Sequence, residues 1–441
     1  MNCTPNCVLG RCYGSYDFEL SEYARQRHIY LVGTTGAGKT TLLLNMIVQD
    51  LASDRGICVI DPHGDLARTV LSLVPPRRAH EVVYLDPADS DRPVGFNPII
   101  PVEPDQYAFV ANNVVAAMRH IWRDSWGARL EHLLFNGILA LQAIGKPNLV
   151  LLQRLFSDDA WRRRHLDAVT DIHITNYWRH EFERWPASEK AIVLSPALNK
   201  VGRFTQDPYL RNIVGQEKPP LSIARSMNDG RIVIVNLAKG RIGETPSHLL
   251  GAFFVTSLAQ AAWQRDRMPV AERTSFTVYA DEFQSYATDS FAAILSEARK
   301  YNLHLVLAHQ YLRQLPESLV PAILGNVATV IALRVSGDDA HSLARHLGMP
   351  HPQALLELAN QQAFIQSLSQ QGPTRLEVVD MAPPPIPTDD RGDAIALNSR
   401  TRFGMSRSII EAGILRALDA DGVATVRPSP SPLAWPTPRH K

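Results

Sequence analysis

The 441 residues carry 45 Lys and Arg against 44 Asp and Glu, with 45% hydrophobic and 20% charged residues. A chain this long buries a large core and divides into lobes. A net charge of +1 excludes a globally basic nucleic-acid binder, so any DNA-facing surface must be local. Four cysteines (Cys3, Cys7, Cys12, Cys58) exclude a disulfide framework and point to a reducing compartment.

Residues 1–24 form an N-terminal segment. Its three cysteines lie within "NCTPNCVLGRC". Their spacing fits no common zinc pattern and offers no obvious fourth ligand. An exposed, poorly ordered terminus is therefore the expectation, rather than a metal site.

"HIYLVG" reads as a strand and "KTTLLLNMIVQDLA" as the helix after it. "GICVIDPHGDLARTVLSLV" repeats the rhythm, and "EVVYLDP" adds a third strand. From residue 106 to 216 strand signals are scarce. "YAFVANNVVAAMRHIW", "ARLEHLLFNGILALQAI" and "NLVLLQRLF" read as helices of an all-α insertion. Its run Arg162, Arg163, Arg164 is either a DNA contact or a solvated helix face.

The sheet resumes with "GRIVIVNLAKG", "SFTVYADEFQ", "LHLVLAHQ", "VATVIALRV" and "QAFIQSL", separated by "DSFAAILSEARKY" and "DDAHSLARHLG". Strands alternating with helices predict a mainly parallel sheet covered on both faces, over residues 25–105 and 217–379. The apolar run "HLLGAFFVTSLAQAAW" is too short and too interrupted to span a bilayer, which needs about 20 apolar residues, and reads as a core helix. Residues 380–441 hold a proline-rich linker, "MAPPPIPTDD", a short helix in "SRSIIEAGILRALDA", and a tail, "RPSPSPLAWPTPRHK".

Gly33-Thr34-Thr35-Gly36-Ala37-Gly38-Lys39-Thr40 matches the P-loop pattern and sits between a strand and a helix, as its mechanism requires. The glycines let backbone N–H groups turn around phosphate oxygens, with Thr41 continuing the binding segment. Lys39 would reach the β- and γ-phosphates and the Thr40 hydroxyl would bind Mg²⁺, at the positive end of the following helix. Downstream, a strand ends in Asp281-Glu282. Beside a P-loop, Asp281 would hold Mg²⁺ through water and Glu282 would polarise the attacking water. Gln310 ends the next strand and could sense the γ-phosphate or orient water. Asp61 ends another strand, where it supports the magnesium shell or caps the turn at Pro62 and Gly64. His63 beside it reads as a structural turn residue.

With these residues in place, the chain resembles the HerA–FtsK superfamily of DNA-pumping P-loop ATPases. Within it, the likeness is to the cytosolic ATPase part of TraD/TraG-like conjugative coupling proteins of type IV secretion. The resemblance is carried by "RHIYLVGTTGAGKTTLLLNMIVQDL", "GICVIDPHGDL", "VVYLDPADSDRPVGFNPI", "FTVYADEFQSYATDSFAAILSEARKYNLHLVLAHQYLRQL" and "ILGNVATVIALRVSGDDA". It implies a RecA-like core, a ring (commonly a hexamer) binding ATP between neighbours, and DNA passing through the middle. It also implies a relaxase and type IV secretion components as partners, with Asp281 and Glu282 as the second acidic motif and Gln310 as sensor. Arg299 falls where such proteins keep an arginine finger. It precedes the strand that ends at Gln310, so it is expected to act in trans.

Membrane-bound coupling proteins carry transmembrane helices ahead of this domain, whereas here the P-loop starts at Gly33. The expectation is a cytoplasmic protein recruited by a partner to the inner face of the membrane. The alternatives are a HerA-like repair or DNA-mobilising ATPase acting with a nuclease, and a nucleotide-gated assembly protein. Asp281-Glu282 argues against the last, because a binding module has no need of a water-activating carboxylate.

Overall fold

Eleven strands form one sheet in a computed structural model that describes residues 6–100, 103–287, 290–316 and 319–419. In chain order the strands are β1 (Cys7–Cys12), β2 (Tyr16–Leu20), β3 (Ile29–Val32), β4 (Gly56–Asp61), β5 (Val82–Leu85) and β6 (Ile232–Asn236). They continue with β7 (Phe276–Ala280), β8 (Leu303–His309), β9 (Thr329–Ala332), β10 (Gln362–Gln366) and β13 (Glu377–Met381). Between the last two, β11 (Leu368–Ser369) and β12 (Gly372–Pro373) make a separate small hairpin. The sheet order is β2-β1-β13-β10-β9-β3-β8-β7-β4-β6-β5. From β9 to β5 every neighbour pair is parallel, and the β2-β1-β13-β10 margin is antiparallel.

The parallel strands are apolar on both faces, and their alternation feeds two cores. Tyr30, Val32, Cys58, Ile60, Leu305 and Leu307 point into one cluster. Ile29, Leu31, Ile57, Val59, Val306 and Ala308 point into the other. The second core is closed by the helices Lys39–Ala52 and Asp65–Leu73, through Leu43, Met46, Ile47, Leu66 and Val70. The first is closed by the helices Tyr107–Ile121, Ala128–Ala143 and Glu244–Gln264.

Consecutive strands β5 and β6 are separated by the helical stretch expected from the sequence. Its helices share one apolar cluster with the sheet face, so they pack as a layer on the core. The helix Glu244–Gln264 is buried nearly all round, including Leu249, Phe253, Phe254 and Ala262, which explains its apolar run. Among the described residues no helix is long and apolar enough to cross a membrane.

Three expectations require correction. Far from being an exposed, poorly ordered terminus, the N-terminal segment from Asn6 onward supplies the edge strands β1 and β2, with Cys7, Leu9 and Cys12 buried over the helix Lys39–Ala52. Burial raises the Cys7 thiol to about 11. Gly10 is required there, because a Cβ would lie 2.1 Å from the Asp380 carbonyl oxygen of β13. Among the described residues no group of three or more His, Cys, Asp or Glu side chains is placed to hold a metal ion, around these cysteines or elsewhere, and Cys3 lies outside them.

The C-terminal region holds two helices rather than one. Gly392–Phe403 docks on β5, where the Tyr84 amide donates to Ser399 Oγ at 2.7 Å and Arg400 pairs with Asp89 at 2.5 Å. The expected short helix follows at Arg407–Asp419, and the expected tail lies outside the described residues.

Arg162 is neither a DNA contact nor a solvated residue. It is 1% exposed, donates to the Leu155 carbonyl, and pairs with Asp159 and Glu183 beneath the Phe182 ring. Arg163 is exposed and pairs with Glu183 at 2.8 Å.

Candidate functional site

The parallel register brings the motif residues to one edge of the sheet. Val32 pairs with His309 of β8, and Ala280 of β7 pairs with Leu307. Strand β8 therefore lies between the strand entering the P-loop and the strand ending in the acidic pair. Gly33, Gln310 and Asp281 follow the C-terminal ends of these three neighbours, where ligands bind in open α/β sheets.

The loop is shaped by its glycines. Gly36 and Gly38 have φ of 81° and 112°, a region that L side chains avoid. A Cβ on Gly38 would also lie 2.8 Å from Met381 Cε. The loop is held from both sides: the Thr34 amide donates to the Arg334 carbonyl at 2.8 Å, and the Gln361 amide donates to the Ala37 carbonyl at 3.1 Å. Lys39 opens the following helix, and its Nζ donates to the Gly33 carbonyl at 2.7 Å and the Thr34 carbonyl at 3.3 Å. Burial holds its ammonium below the ordinary lysine range, opposed by the nearby Glu282 and Asp281.

Asp281 is 7% exposed. Burial, then Glu282 and Asp61, push its carboxyl up to about 7, against the opposing charge of Lys39. Glu282 has a left-handed backbone with φ 47°, and its carboxylate accepts from Gln310 Nε2 at 2.8 Å. The turn is pinned by buried Tyr286, whose hydroxyl donates to the Asp281 carbonyl at 2.7 Å. Behind Gln310, His309 is buried, bonded to the Tyr30 hydroxyl and edge-on to Phe283. Burial and Lys39 push its imidazole down to about 3, so it is neutral.

A cavity of about 450 Å³ is lined by Thr35, Gly36, Gly38, Lys39, Thr40 and Thr41 on one side, and by Asp281, Glu282 and Gln310 on another. The anticipated phosphate, metal and water-polarising residues thus face one space. His63, Asn360 and Gln361 line it too. His63 looked merely structural, yet it is exposed to the cavity. Asn360 and Gln361 were not anticipated. The one local hint was the polar "ANQQ" before a strand, and the long-range bond from Gln361 to Ala37 is what brings them in.

Asp61 does not line the cavity. Its two oxygens accept the His63 amide at 2.8 Å and the Ala67 amide at 2.9 Å, which is the capping alternative. Arg299 is not brought to the site either. It is exposed in the short turn Ala298–Tyr301 before β8, and its charge reaches Arg27 and His28, which precede β3. That is the opposite end of the sheet from the P-loop.

Two family profiles match the chain. "Type IV secretion-system coupling protein DNA-binding domain" covers residues 17–190, and "TraM recognition site of TraD and TraG" covers residues 275–370. Together they take in more than half of the chain. No curated protein matches it. Among solved structures, the bacterial conjugative coupling protein TrwBdeltaN70 in its unbound form superposes with a TM-score of 0.66 at 16% identity. The match covers 88% of this chain and 91% of that one. The plasmid coupling protein TrwB in complex with ADP and Mg²⁺ gives 0.67 at 16% identity, covering 88% and 92%. VirB4 of Thermoanaerobacter pseudethanolicus gives 0.62 at 14%, covering 87% and 98%. These likenesses establish the RecA-like fold. The two profiles lead to one assignment, in keeping with the assembled P-loop: the chain belongs to the TraD/TraG-like coupling proteins of type IV secretion, within the HerA–FtsK superfamily of P-loop ATPases.

Proposed function

We propose that this protein is an ATP-dependent DNA motor of the conjugative coupling type, hydrolysing ATP at subunit interfaces of a ring, six-membered as the family resemblance implies, to move DNA for type IV secretion. The observation that carries the reading is the meeting of Lys39, Asp281 and the Glu282–Gln310 pair in one cavity, with Arg299 at the far end of the sheet.

The residues fit a magnesium-bound triphosphate. Among the described residues the hydrogen-bond partners of Lys39 Nζ are two neutral carbonyls, and a phosphate oxygen satisfies a buried ammonium better. Asp281 is raised by burial and by two other carboxylates, an environment that a divalent cation balances. TrwB, of the same fold, has been solved with ADP and Mg²⁺.

Backbone amides of Thr35–Lys39 and the Lys39 ammonium would hold the phosphates. The Thr40 hydroxyl and, through water, the Asp281 carboxylate would hold Mg²⁺, which would supply neutralisation of phosphate charge. Glu282 accepts a proton from the attacking water, and Gln310 links that carboxylate to the γ-phosphate position. Asp281 must be ionised to bind a cation, so its raised pKa ties metal loading to proton release near neutrality.

The Arg299 guanidinium would act on the pocket of an adjacent copy. An arginine finger is worth about 10³–10⁵ in turnover, so hydrolysis would depend on assembly. DNA would be gripped through its phosphates, largely without sequence preference. A relaxase and secretion-channel components are the partners this reading requires, and one of them would recruit the chain to the membrane.

The test is ATP turnover across a DNA titration at two salt concentrations, with a mixing experiment. Stimulation by DNA that weakens steeply with salt is expected. Inactive Lys39→Ala and Arg299→Ala subunits, mixed in rings shown to exchange, should recover part of the activity at interfaces that pair an intact pocket with an intact finger. Full turnover by a monomer indifferent to DNA overturns the motor reading.

A further inference from the structure

Gln284 belongs to no motif assigned above, yet it holds half of the water-polarising carboxylate. The two oxygens of Glu282 are held separately: Gln310 Nε2 donates to Oε1 at 2.8 Å, and Gln284 Nε2 donates to Oε2 at 2.6 Å. The orientation of the Gln284 amide follows from this contact, because the reverse would aim its carbonyl oxygen at a carboxylate. Its Oε1 is consequently buried without a hydrogen-bond partner among the described residues. A buried orphan acceptor is costly, and the fold tolerates it at the side chain that, among the described residues, bonds the Glu282 oxygen not held by Gln310.

The turn that carries Gln284 is anchored on both sides. Phe283 is fully buried, stacked on Phe291 and edge-on to His309. Tyr286 ties the turn back to the Asp281 carbonyl. Glu282 itself sits at φ 47°, a conformation that costs a non-glycine residue and persists only where its surroundings dictate it.

We propose that Gln284 is a positioning residue for the Glu282 carboxylate, acting as a pair with Gln310. The inference rests on the ATPase reading above. One donor on each oxygen fixes the plane of the carboxylate, which a single hydrogen bond leaves free to swing. Each oxygen keeps a further lone pair for water.

The experiment uses the full chain with ATP, Mg²⁺ and DNA. Gln284→Met keeps the length of the side chain and removes the donor. It should lower kcat roughly ten-fold or more, since small misplacements of a catalytic group are this expensive. Affinity for a fluorescent ATP analogue should stay within about two-fold, because the lost contact acts on the chemical step. Gln284→Glu keeps length and polarity but sets a carboxylate against Glu282, and should give the same kcat loss even if the methionine variant folds poorly. In a Gln310→Met background the further loss from Gln284→Met should fall below that seen in wild type, as for residues acting as a unit. Wild-type kcat in both Gln284 variants, alongside loss of turnover in Glu282→Gln, overturns this inference and leaves the ATPase reading standing. Retained turnover in Glu282→Gln overturns the ATPase reading itself.

Discussion

Asp281→Asn should make the nucleotide-free protein more stable while abolishing turnover, and the gain should depend on pH. The carboxyl is raised from its ordinary 3.8 to about 7, first by burial, then by Glu282 and Asp61. The folded state therefore binds this proton more tightly than the unfolded chain does. Its stabilising effect is complete below the unfolded pKa and is lost as pH rises through about 7. At ~1.4 kcal/mol per pH unit, the full span amounts to about 4 kcal/mol above pH 7, and about 1.6 kcal/mol has been lost by pH 5. Asparagine stays neutral throughout, and its Oδ1 can still accept the Glu282 amide, which the aspartate accepts at 3.0 Å. Urea unfolding of both proteins at pH 8 and pH 5 should show the variant ahead by about 4 kcal/mol at pH 8, with the gap closing by more than half at pH 5. Titrating groups away from the site are common to both proteins and cancel, while Glu282, Asp61 and Lys39 interact with the Asp281 charge and are part of the gap that is read. A gap unchanged between the two pH values would falsify the assignment of an uncompensated carboxyl to this position.

Three further outcomes are expected. Lys39→Ala should weaken Mg²⁺–nucleotide binding by roughly 10- to 100-fold in equilibrium titration, the worth of charged hydrogen bonds to phosphate, with little change in melting temperature. Gly38→Ala should cost about 1–3 kcal/mol in chemical denaturation, because φ is 112° and the new methyl would meet Met381 Cε at 2.8 Å; a neutral outcome would show that the loop is not held where β13 meets it. Arg162→Met should destabilise by about 3 kcal/mol, since it removes the buried partner of Glu183 and Asp159, and should leave DNA affinity unchanged in a filter-binding assay.

The site was legible where chemistry dictates residue type locally. A phosphate cradle needs glycines at positive φ followed by Lys-Thr, and Gly36, Gly38, Lys39 and Thr40 announce it in one contiguous stretch. Asp281-Glu282 and Gln310 end apolar runs, so the parallel topology alone carries them to one edge. What stayed hidden depends on partners distant in sequence. "NCVLGRC" shows weak strand propensity, and it becomes β1 because Gly10 pairs with Met381. Gln361 enters the cavity through a bond to Ala37 that no local pattern announces. Arg162 reads as part of a charged surface run, yet the aromatic cluster around Trp178 and Phe182 draws it inside, where Glu183 and the Leu155 carbonyl satisfy it.

Strand β8 carries the argument about assembly further than any single residue. Its C-terminal end delivers Gln310 to Glu282, and its N-terminal end is preceded by the turn bearing Arg299. Seven residues at ~3.3 Å each separate the two by roughly 20 Å along a buried, doubly flanked strand. No side-chain motion closes that distance, and no hinge interrupts the strand. One subunit thus presents an amide to its own acidic pair and an exposed cation to whatever lies past the opposite edge. If a neighbouring copy sets its phosphate edge there, the two ends of one buried strand serve two successive pockets, Gln310 in its own and the cation toward the next.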